Sequence, residues 1–242
     1  MKNLIFGIHS VEEALNSSQE IDKLYLLKGS DNPALQKILA IAEEQHISTS
    51  FVPIQKIEKL AQGNHQGIVA KISPIQTVSL EDLVEDTFQQ EHTPLFVLLD
   101  EVTDVRNFGA IIRTAECAGA SGIIIPKQGS ASINEQVVKT SAGAIFNLPI
   151  CKVNHLKDAL YFLKSYQVQL IAATEKGNSS LYDCDFTQPT AVVMGSEGKG
   201  VSHAILKMCD QRAQLPLLGK TDSLNVSVAC ALFLYEAVRQ KL

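Results

Sequence analysis

The second part of the chain contains four short, almost continuous apolar runs, which limit its fold more than any other feature. They are LFVLLD at 95–100, SGIIIP at 121–126, VQLIAAT at 168–174 and TAVVMG at 190–195. Strands buried on both faces have this pattern, which is usual in parallel sheets with helical crossovers. Residues 94–242 are therefore predicted to form an α/β domain. Its other predicted elements are strands at 148–153 and 214–217 and helices at 109–118, 132–145, 156–166 and 202–209.

Near the C-terminus, in the stretch 215–239, a polar turn leads into an apolar helix. Ser223 and Asn225 stand where this helix is expected to begin, and most of the residues that follow are apolar. The first turn of such a helix offers backbone N–H groups together with the Asn225 amide. Two interpretations remain open for this turn: an N-capped core helix, or a place that holds a ligand.

Residues 1–72 are predicted to form a separate, small α/β unit. Pro33 is typical of a first helical turn, and the apolar residues after it recur at helical spacing. The predicted helices are 9–16, 33–46 and 54–61, and the predicted strands are 24–27, 50–52 and 67–72. The loop 63–67 places Asn64, His65 and Gln66 between two glycines. Such a loop is either a tight turn with no further role or an exposed contact for RNA.

Between these parts, residues 73–93 carry five acidic residues and no lysine or arginine. We interpret this segment as an acidic linker with one solvated helix capped by Ser79, and as the domain boundary. The net charge of −5 is thus concentrated in one short segment. An RNA partner is therefore neither excluded nor indicated by the charge.

Composition excludes several classes of protein. With 45% hydrophobic and 19% charged residues, the chain is typical of a globular protein and not of a disordered one. No apolar run is long enough to cross a bilayer, and the N-terminus lacks a secretory pattern, so we expect a cytoplasmic protein without membrane attachment. The five cysteines and six histidines have no metal-binding spacing, so no metal site is expected.

Two polar loops follow predicted strands, at the sheet edge where α/β proteins bind ligands. In the loop 100–113, Asp104 and Asn107 are candidate helix caps, and Arg113 is a candidate for meeting an anion. The glycine-rich loop 195–200, GSEGKG, matches neither the Walker pattern nor GxGxxG. It allows close approach of the backbone to a ligand and holds the carboxylate of Glu197.

Taken together, the three loops of the second domain strongly resemble the SpoU/TrmH family of RNA ribose 2′-O-methyltransferases. The matching motifs are N-x-G-x-x-x-R at Asn107, Gly109 and Arg113, GSEGKG at 195–200, and LPL-x5-SLNVSVA at 215–229. One departure is Val105, where many members have proline. The N-terminal unit is similar to the ribosomal-protein-like substrate-binding domain of the branch that methylates guanosine in 23S ribosomal RNA, through GIHSVEEAL at 7–15 and NHQGIVA at 64–70.

The resemblance implies S-adenosylmethionine as the cofactor, a SPOUT-type fold with a C-terminal trefoil knot, and a homodimer. It implies a catalytic domain at 94–242 and an RNA substrate-binding domain at 1–72. The implied catalytic residues are Arg113, Asn107 and Glu197. The implied cofactor-binding residues are Gly195, Leu215 and Leu224, with Thr174, Ser223 and Asn225 nearby; the implied RNA-binding residues are Asn64, His65 and Gln66.

Arg113 is an unsuitable general base, because a guanidinium has no acceptor. We expect it to stabilise the developing alkoxide or to orient a phosphate. The implied substrate is 23S ribosomal RNA, either free or in a ribosome-assembly intermediate. Two alternatives stay open: a tRNA 2′-O-methyltransferase of the same family, and a ribosome-assembly factor that binds RNA without catalysis.

Overall fold

The computed structural model describes residues 4–17 and 19–242, and the chain forms two compact units, Met1–Gln76 and Thr77–Leu242. The first unit contains a four-stranded sheet in the order β1-β4-β2-β3. Its elements in chain order are β1 (Leu4–Phe6), α1 (Ile8–Asn16), β2 (Ile21–Leu27), α2 (Pro33–Glu44), β3 (Thr49–Val52), α3 (Ile54–Leu60) and β4 (Ile68–Ile72).

The second unit is built on a seven-stranded sheet in the order β7-β6-β5-β10-β8-β11-β9, in which every strand pair is parallel. The strands are β5 (Leu95–Leu99), β6 (Gly122–Pro126), β7 (Ile150–Val153), β8 (Gln169–Ala173), β9 (Ser179–Ser180), β10 (Thr190–Met194) and β11 (Gln211–Gln214). The helices are α4 (Leu80–Phe88), α5 (Val105–Cys117), α6 (Glu135–Thr140), α7 (Leu156–Ser165), α8 (His203–Leu206) and α9 (Val226–Lys241). Two short 3-10 helices lie at Ala144–Phe146 and Leu181–Asp183.

Helices cover both faces of this sheet. Every residue of β5 and β10 is buried, as the continuous apolar runs predicted. Alternate strand residues point to opposite faces, and one set, which includes Phe96 and Val193, packs in a core with α4, α7 and α8. On the other face, α9 packs against β10, β8 and α5. The mixed α/β class predicted from the sequence is confirmed.

The acidic segment is more tightly packed than the predicted linker. Ser79 caps α4 as expected, with its hydroxyl accepting a hydrogen bond from the Asp82 N–H at 3.0 Å. However, Leu83 and Val84 of α4 are buried in the core of the second unit. Val78 also forms a parallel bridge with Cys151 of the edge strand β7. Only the acidic face of α4 is solvated, because its other face carries leucine and valine at helical spacing.

Several predicted boundaries were wrong. Helix α5 begins at Val105 and not at Gly109, and the strand predicted at 214–217 lies at Gln211–Gln214. The helix predicted at 132–145 is divided into α6 and a 3-10 helix. Helix α9 begins at Val226, after an irregular stretch that includes the predicted strand residues Leu215 and Leu217.

Burial raises the pKa of several cysteine thiols. Desolvation raises the pKa of the Cys151 and Cys230 thiols to about 12, so both remain protonated at neutral pH. Burial raises the pKa of Cys209 to about 12 as well. Nearby lysine and arginine side chains offset this rise in pKa only in part. These three residues act as apolar core or near-core groups. Cys117 at the end of α5 is exposed.

None of the helices that the structure describes is long and apolar enough to span a bilayer.

Gly109 permits the close packing of α5 on α6, and this contact generates a stability prediction. A Cβ at this position would lie 2.6 Å from Thr140 Cβ and 2.7 Å from Thr140 Oγ1. We expect Gly109→Ala to lower the free energy of unfolding by about 1–2 kcal/mol, because the steric cost exceeds the gain in helix propensity. Denaturant unfolding measures this change in the free energy of unfolding. Gly219→Ala is the matched control, since nothing lies within 4 Å of its added Cβ; equal stability of the two variants would contradict the packing argument.

Candidate active site

The carboxyl ends of β5, β8 and β10 meet at one edge of the parallel sheet, beside a cavity of about 680 Å³. Because ligands of open α/β sheets bind at this edge, the cavity is the candidate site. The walls come from the segments after β8, β10 and β11 and from the start of α9. The lining residues are Ala173, Thr174, Glu175, Lys176, Met194, Gly195, Ser196, Glu197, Gly198, Gly200, Ala213, Leu215, Leu217, Asp222, Ser223, Leu224, Asn225, Val226, Ala229 and Phe233.

The glycine-rich loop after β10 folds back on itself so tightly that only glycine fits at its start. A Cβ on Gly195 would lie 1.9 Å from the carbonyl carbon of Gly200. Ser196 and Gly200 exchange two backbone hydrogen bonds, of 3.2 and 2.9 Å. Gly198 and Gly200 have φ angles of 88° and 68°, in the left-handed region that favours glycine. The loop thus presents main-chain groups to the cavity, as the sequence predicted for a glycine-rich turn.

Asp100 fixes this loop to the end of β5. Its carboxylate Oδ2 accepts a hydrogen bond from the Ser202 N–H at 2.7 Å, and its own N–H donates to the Met194 carbonyl at 2.8 Å. Asp100 is 8% exposed, so this charge-assisted bond is shielded from water. The sequence interpretation assigned no role to Asp100. Its position at the end of an apolar run, where a carboxylate needs a partner, was the available signal.

Asp104 is the cap of α5. Its Oδ1 accepts hydrogen bonds from the Arg106 and Asn107 N–H groups at 2.9 and 2.8 Å. Asn107 therefore lies in the first turn of the helix, where its side chain is free of a capping role. The capping alternative is confirmed for Asp104 and wrong for Asn107.

Asn225 joins the three loops through one side-chain amide. Its Oδ1 accepts from the backbone N–H of Ser227 at 3.0 Å and of Val228 at 3.4 Å, which caps α9. Its Nδ2 donates to Asn107 Oδ1 at 3.0 Å and to Glu197 Oε1 at 2.7 Å. Both open interpretations of this helix start are therefore compatible: Asn225 is an N-cap and also lines the candidate site.

Arg113 lies apart from the cavity lining. It is exposed two turns along α5 from Arg106, and no other residue in the described part of the chain bonds to its guanidinium. A free guanidinium at the surface is available to an anion from solution. In contrast, the cofactor candidates Thr174, Gly195, Leu215, Ser223, Leu224 and Asn225 all line the cavity.

The cavity also contains charges that the sequence interpretation did not select. Glu175 and Lys176 follow β8, and Asp222 precedes the Ser223 turn. The Thr174 hydroxyl accepts a hydrogen bond from the Lys176 N–H at 3.3 Å, which shapes the turn after β8. In the sequence, a polar turn with neighbouring opposite charges looks like an ordinary solvated loop, so the sequence alone could not identify these residues as part of a cavity lining.

In the first unit, two of the three predicted RNA-binding side chains hold their own loop. Gln66 Oε1 accepts from the Ile8 N–H at 2.9 Å, at the start of α1, and His65 Nδ1 accepts from the Gly67 N–H at 3.1 Å. Gln66 has a φ of 49°, which the tight loop requires. Asn64 is exposed. Asn64 is therefore the member of the three with an unoccupied side-chain amide.

Throughout residues 4–17 and 19–242, no group of three or more His, Cys, Asp and Glu side chains is arranged to hold a metal ion.

The fold and the three loops define a class of protein, and the comparison with protein families agrees with it. Residues 94–235 match the SpoU rRNA methylase family, and residues 4–78 match the domain described as RNA 2′-O ribose methyltransferase substrate binding. The chain belongs to the SpoU methylase family.

Particular relatives extend this similarity over the whole chain. The chain is 36% identical to the 23S rRNA (guanosine-2′-O-)-methyltransferase RlmB of Pseudomonas putida, covering 98% of this chain and 96% of RlmB. It superposes with a TM-score of 0.62 and 25% identity on the SpoU methyltransferase AviRb of Streptomyces viridochromogenes in complex with AdoMet, covering 98% and 90% of the two chains. The TrmH/SpoU tRNA modifying enzyme of A. aeolicus matches 67% of this chain and 82% of its own at a TM-score of 0.58 and 32% identity.

The two roles of Asn225 can be separated by substitution. Asn225→Ala removes the cap of α9 and should lower the free energy of unfolding by about 1 kcal/mol. Asn225→Ser keeps a capping hydroxyl and should recover most of that loss, although its side chain cannot reach Asn107 and Glu197 together. Denaturant unfolding compares the variants. If serine were as destabilising as alanine, the bonds to the two loops and not the cap would dominate stability.

Proposed function

We propose that this protein transfers a methyl group from S-adenosylmethionine to a ribose 2′-OH of RNA, with a guanosine of 23S ribosomal RNA as its target. One observation carries the proposal: Asn225, Asn107 and Glu197, from three separate loops, are hydrogen-bonded together at the rim of the cavity. The named activity of a 36% identical relative over 98% of the chain supports the substrate class. The AdoMet complex of a structural neighbour supports the cofactor.

The cavity suits S-adenosylmethionine in size and in the groups that it offers. Its volume of about 680 Å³ lies within the range of small-molecule sites. Leu215, Leu224 and Phe233 provide apolar wall, and the turn at Gly195 brings backbone groups close to a ligand. When bound, this cofactor supplies an electrophilic methyl group on a sulfonium sulfur.

The hydrogen-bond polarity around Asn225 determines which groups remain available for substrate. Because Asn225 Oδ1 accepts from the start of α9, its Nδ2 must be the donor to Asn107 and Glu197. Asn107 accepts through its oxygen, so its own Nδ2 is left to donate to a ribose or phosphate oxygen. Asn107 therefore positions the substrate hydroxyl, and Asn225 positions Asn107.

Glu197 and Arg113 complete the proposed set of catalytic residues. Glu197 uses Oε1 for Asn225, which leaves Oε2 to accept a hydrogen bond from the 2′-OH. Arg113 carries only donors, so its role is to stabilise negative charge on the 2′-oxygen or to hold a phosphate next to it. The proton acceptor of the 2′-OH within the site is assigned to Glu197 and not to Arg113.

The first unit is proposed to hold the RNA substrate. We assign residues 1–72 to RNA substrate binding, 73–93 to an acidic connection and 94–242 to catalysis. The match of residues 4–78 to a substrate-binding domain supports the first assignment. Within it, Asn64 is the strongest candidate contact, because its side chain is exposed on a loop that Gln66 and His65 hold in place.

A homodimer and a trefoil knot are also proposed, in a cytoplasmic protein. Helix α9 has an exposed apolar stripe of Val228, Leu232 and Tyr235, which are 49%, 41% and 51% exposed. Apolar residues at this spacing on a C-terminal helix favour burial against a second copy. The knot is supported by the path of residues 215–225, which bring Asn225 against both the α5 start and the 195–200 loop.

The proposed activity is tested by incubating the protein with labelled S-adenosylmethionine and, separately, with undermodified 23S rRNA and with tRNA. We expect label on a guanosine ribose of 23S rRNA, located by nuclease mapping. Label on tRNA alone would assign the tRNA specificity that the A. aeolicus relative is named for. Binding of the cofactor without label in either RNA would refute the enzymatic proposal and favour an assembly factor.

Arg113→Lys distinguishes the geometry of the guanidinium from its charge. Lysine keeps the charge but loses the planar, bidentate donor pair. We expect the single-turnover rate of methyl transfer to fall by about tenfold or more, a loss of roughly 1.4 kcal/mol in transition-state stabilisation. Calorimetric affinity for S-adenosylmethionine should be unchanged, since Arg113 is outside the cavity lining. A near wild-type rate would contradict the bidentate role.

A further inference from the structure

One exposed face of α5 carries two arginines. Arg106 and Arg113 are seven residues apart, so they lie about 20° apart around the helix and about 10 Å apart along it. Ala110 lies between them on the same face, and its small side chain leaves the helix surface open to a close approach. We call Arg106, Ala110 and Arg113 the arginine face.

Arg106 stands where a cation is unfavourable in the free protein. It is the second residue of α5, at the positive end of the helix dipole, and the Asp104 carboxylate caps this turn through Oδ1. Arg106 is exposed, and its guanidinium bonds to no other residue in the described part of the chain. The guanidinium is therefore available to an anion from solution, with which it can form charge-assisted hydrogen bonds.

The arginine face begins beside the proposed catalytic group. Asn107, the residue after Arg106, is hydrogen-bonded to Asn225 at 3.0 Å, so Arg106 lies next to the residue proposed to position the ribose. We propose that Arg106 and Arg113 form a track for two backbone phosphates next to the methylated nucleotide, with Arg106 as an RNA-binding residue. This proposal rests on the proposed function, because it takes the substrate to be RNA, and it adds a contact that the three sequence motifs do not include.

A phosphate contact gives affinity without reading the base sequence. The arginine face should therefore contribute to binding of any single-stranded RNA segment next to the target.

The test measures RNA binding of the full-length protein by filter retention, with undermodified 23S rRNA transcript as the probe, across a series of salt concentrations. We expect Arg106→Gln to weaken binding by about three- to tenfold and to reduce the slope of log affinity against log salt by about 0.7 to 1, the value for one lost phosphate contact. Arg106→Lys should keep the slope and lose part of the affinity. Calorimetric affinity for S-adenosylmethionine should match that of the wild type.

Lys157→Gln is the matched control. It removes one exposed cation from α7, which packs in the core on the other side of the sheet from α9. Unchanged RNA affinity and salt slope in Arg106→Gln would overturn the proposal. So would a changed oligomeric state with unchanged RNA binding, because the arginine face would then serve a second copy of the chain. A wild-type protein that binds RNA through Arg106 without methylating it would refute the proposed function and leave the phosphate track standing.

Discussion

The side chain of Asn225 makes the interaction on which the arrangement of the site depends. Its oxygen caps α9, and its nitrogen bonds to Asn107 at 3.0 Å and to Glu197 at 2.7 Å. Because the capping bond fixes the orientation of the amide, the direction of the other two hydrogen bonds follows. One residue thus connects the stability of the C-terminal helix to the geometry of two other loops. A substitution there changes the cap and two contacts of the candidate site together, so its effects on stability and on those contacts must be interpreted jointly.

The sheet makes this meeting of loops possible. Strands β5, β10 and β8 are adjacent and parallel, so the segments that follow them leave the same edge. Asp100 strengthens the arrangement, since its buried carboxylate ties the end of β5 to Ser202 beyond the glycine-rich loop. The tight turn at Gly195 completes it, because no larger residue fits against Gly200. The polar groups of the site are therefore held by strand ends and helix starts, which are more rigid than free loops.

Errors in the sequence interpretation have identifiable physical causes. Gly109 was taken as the start of a helix, whereas its lack of a side chain serves the contact between α5 and Thr140. Strand β11 has the sequence QRAQ, which lacks an apolar pattern; its place in the sheet comes from backbone pairing with β8. The segment 73–93 was interpreted as a linker because of its acidic charge, but leucine and valine on the opposite face of α4 are buried in the core. In each case a tertiary contact overrides local propensity.

The sequence by itself determined the parallel α/β class, the sheet edge at which the candidate site lies, and the family, because continuous apolar strands and fixed glycine and polar spacings are local properties of the chain. It also selected Asn107, Glu197 and Asn225. Only the tertiary structure decided how these three are hydrogen-bonded to one another, since Asn225 lies 118 residues from Asn107 and 28 from Glu197 along the chain. It likewise separated Arg113 from the cavity lining. Distances and hydrogen-bond directions between remote segments depend on packing, and no local pattern encodes them.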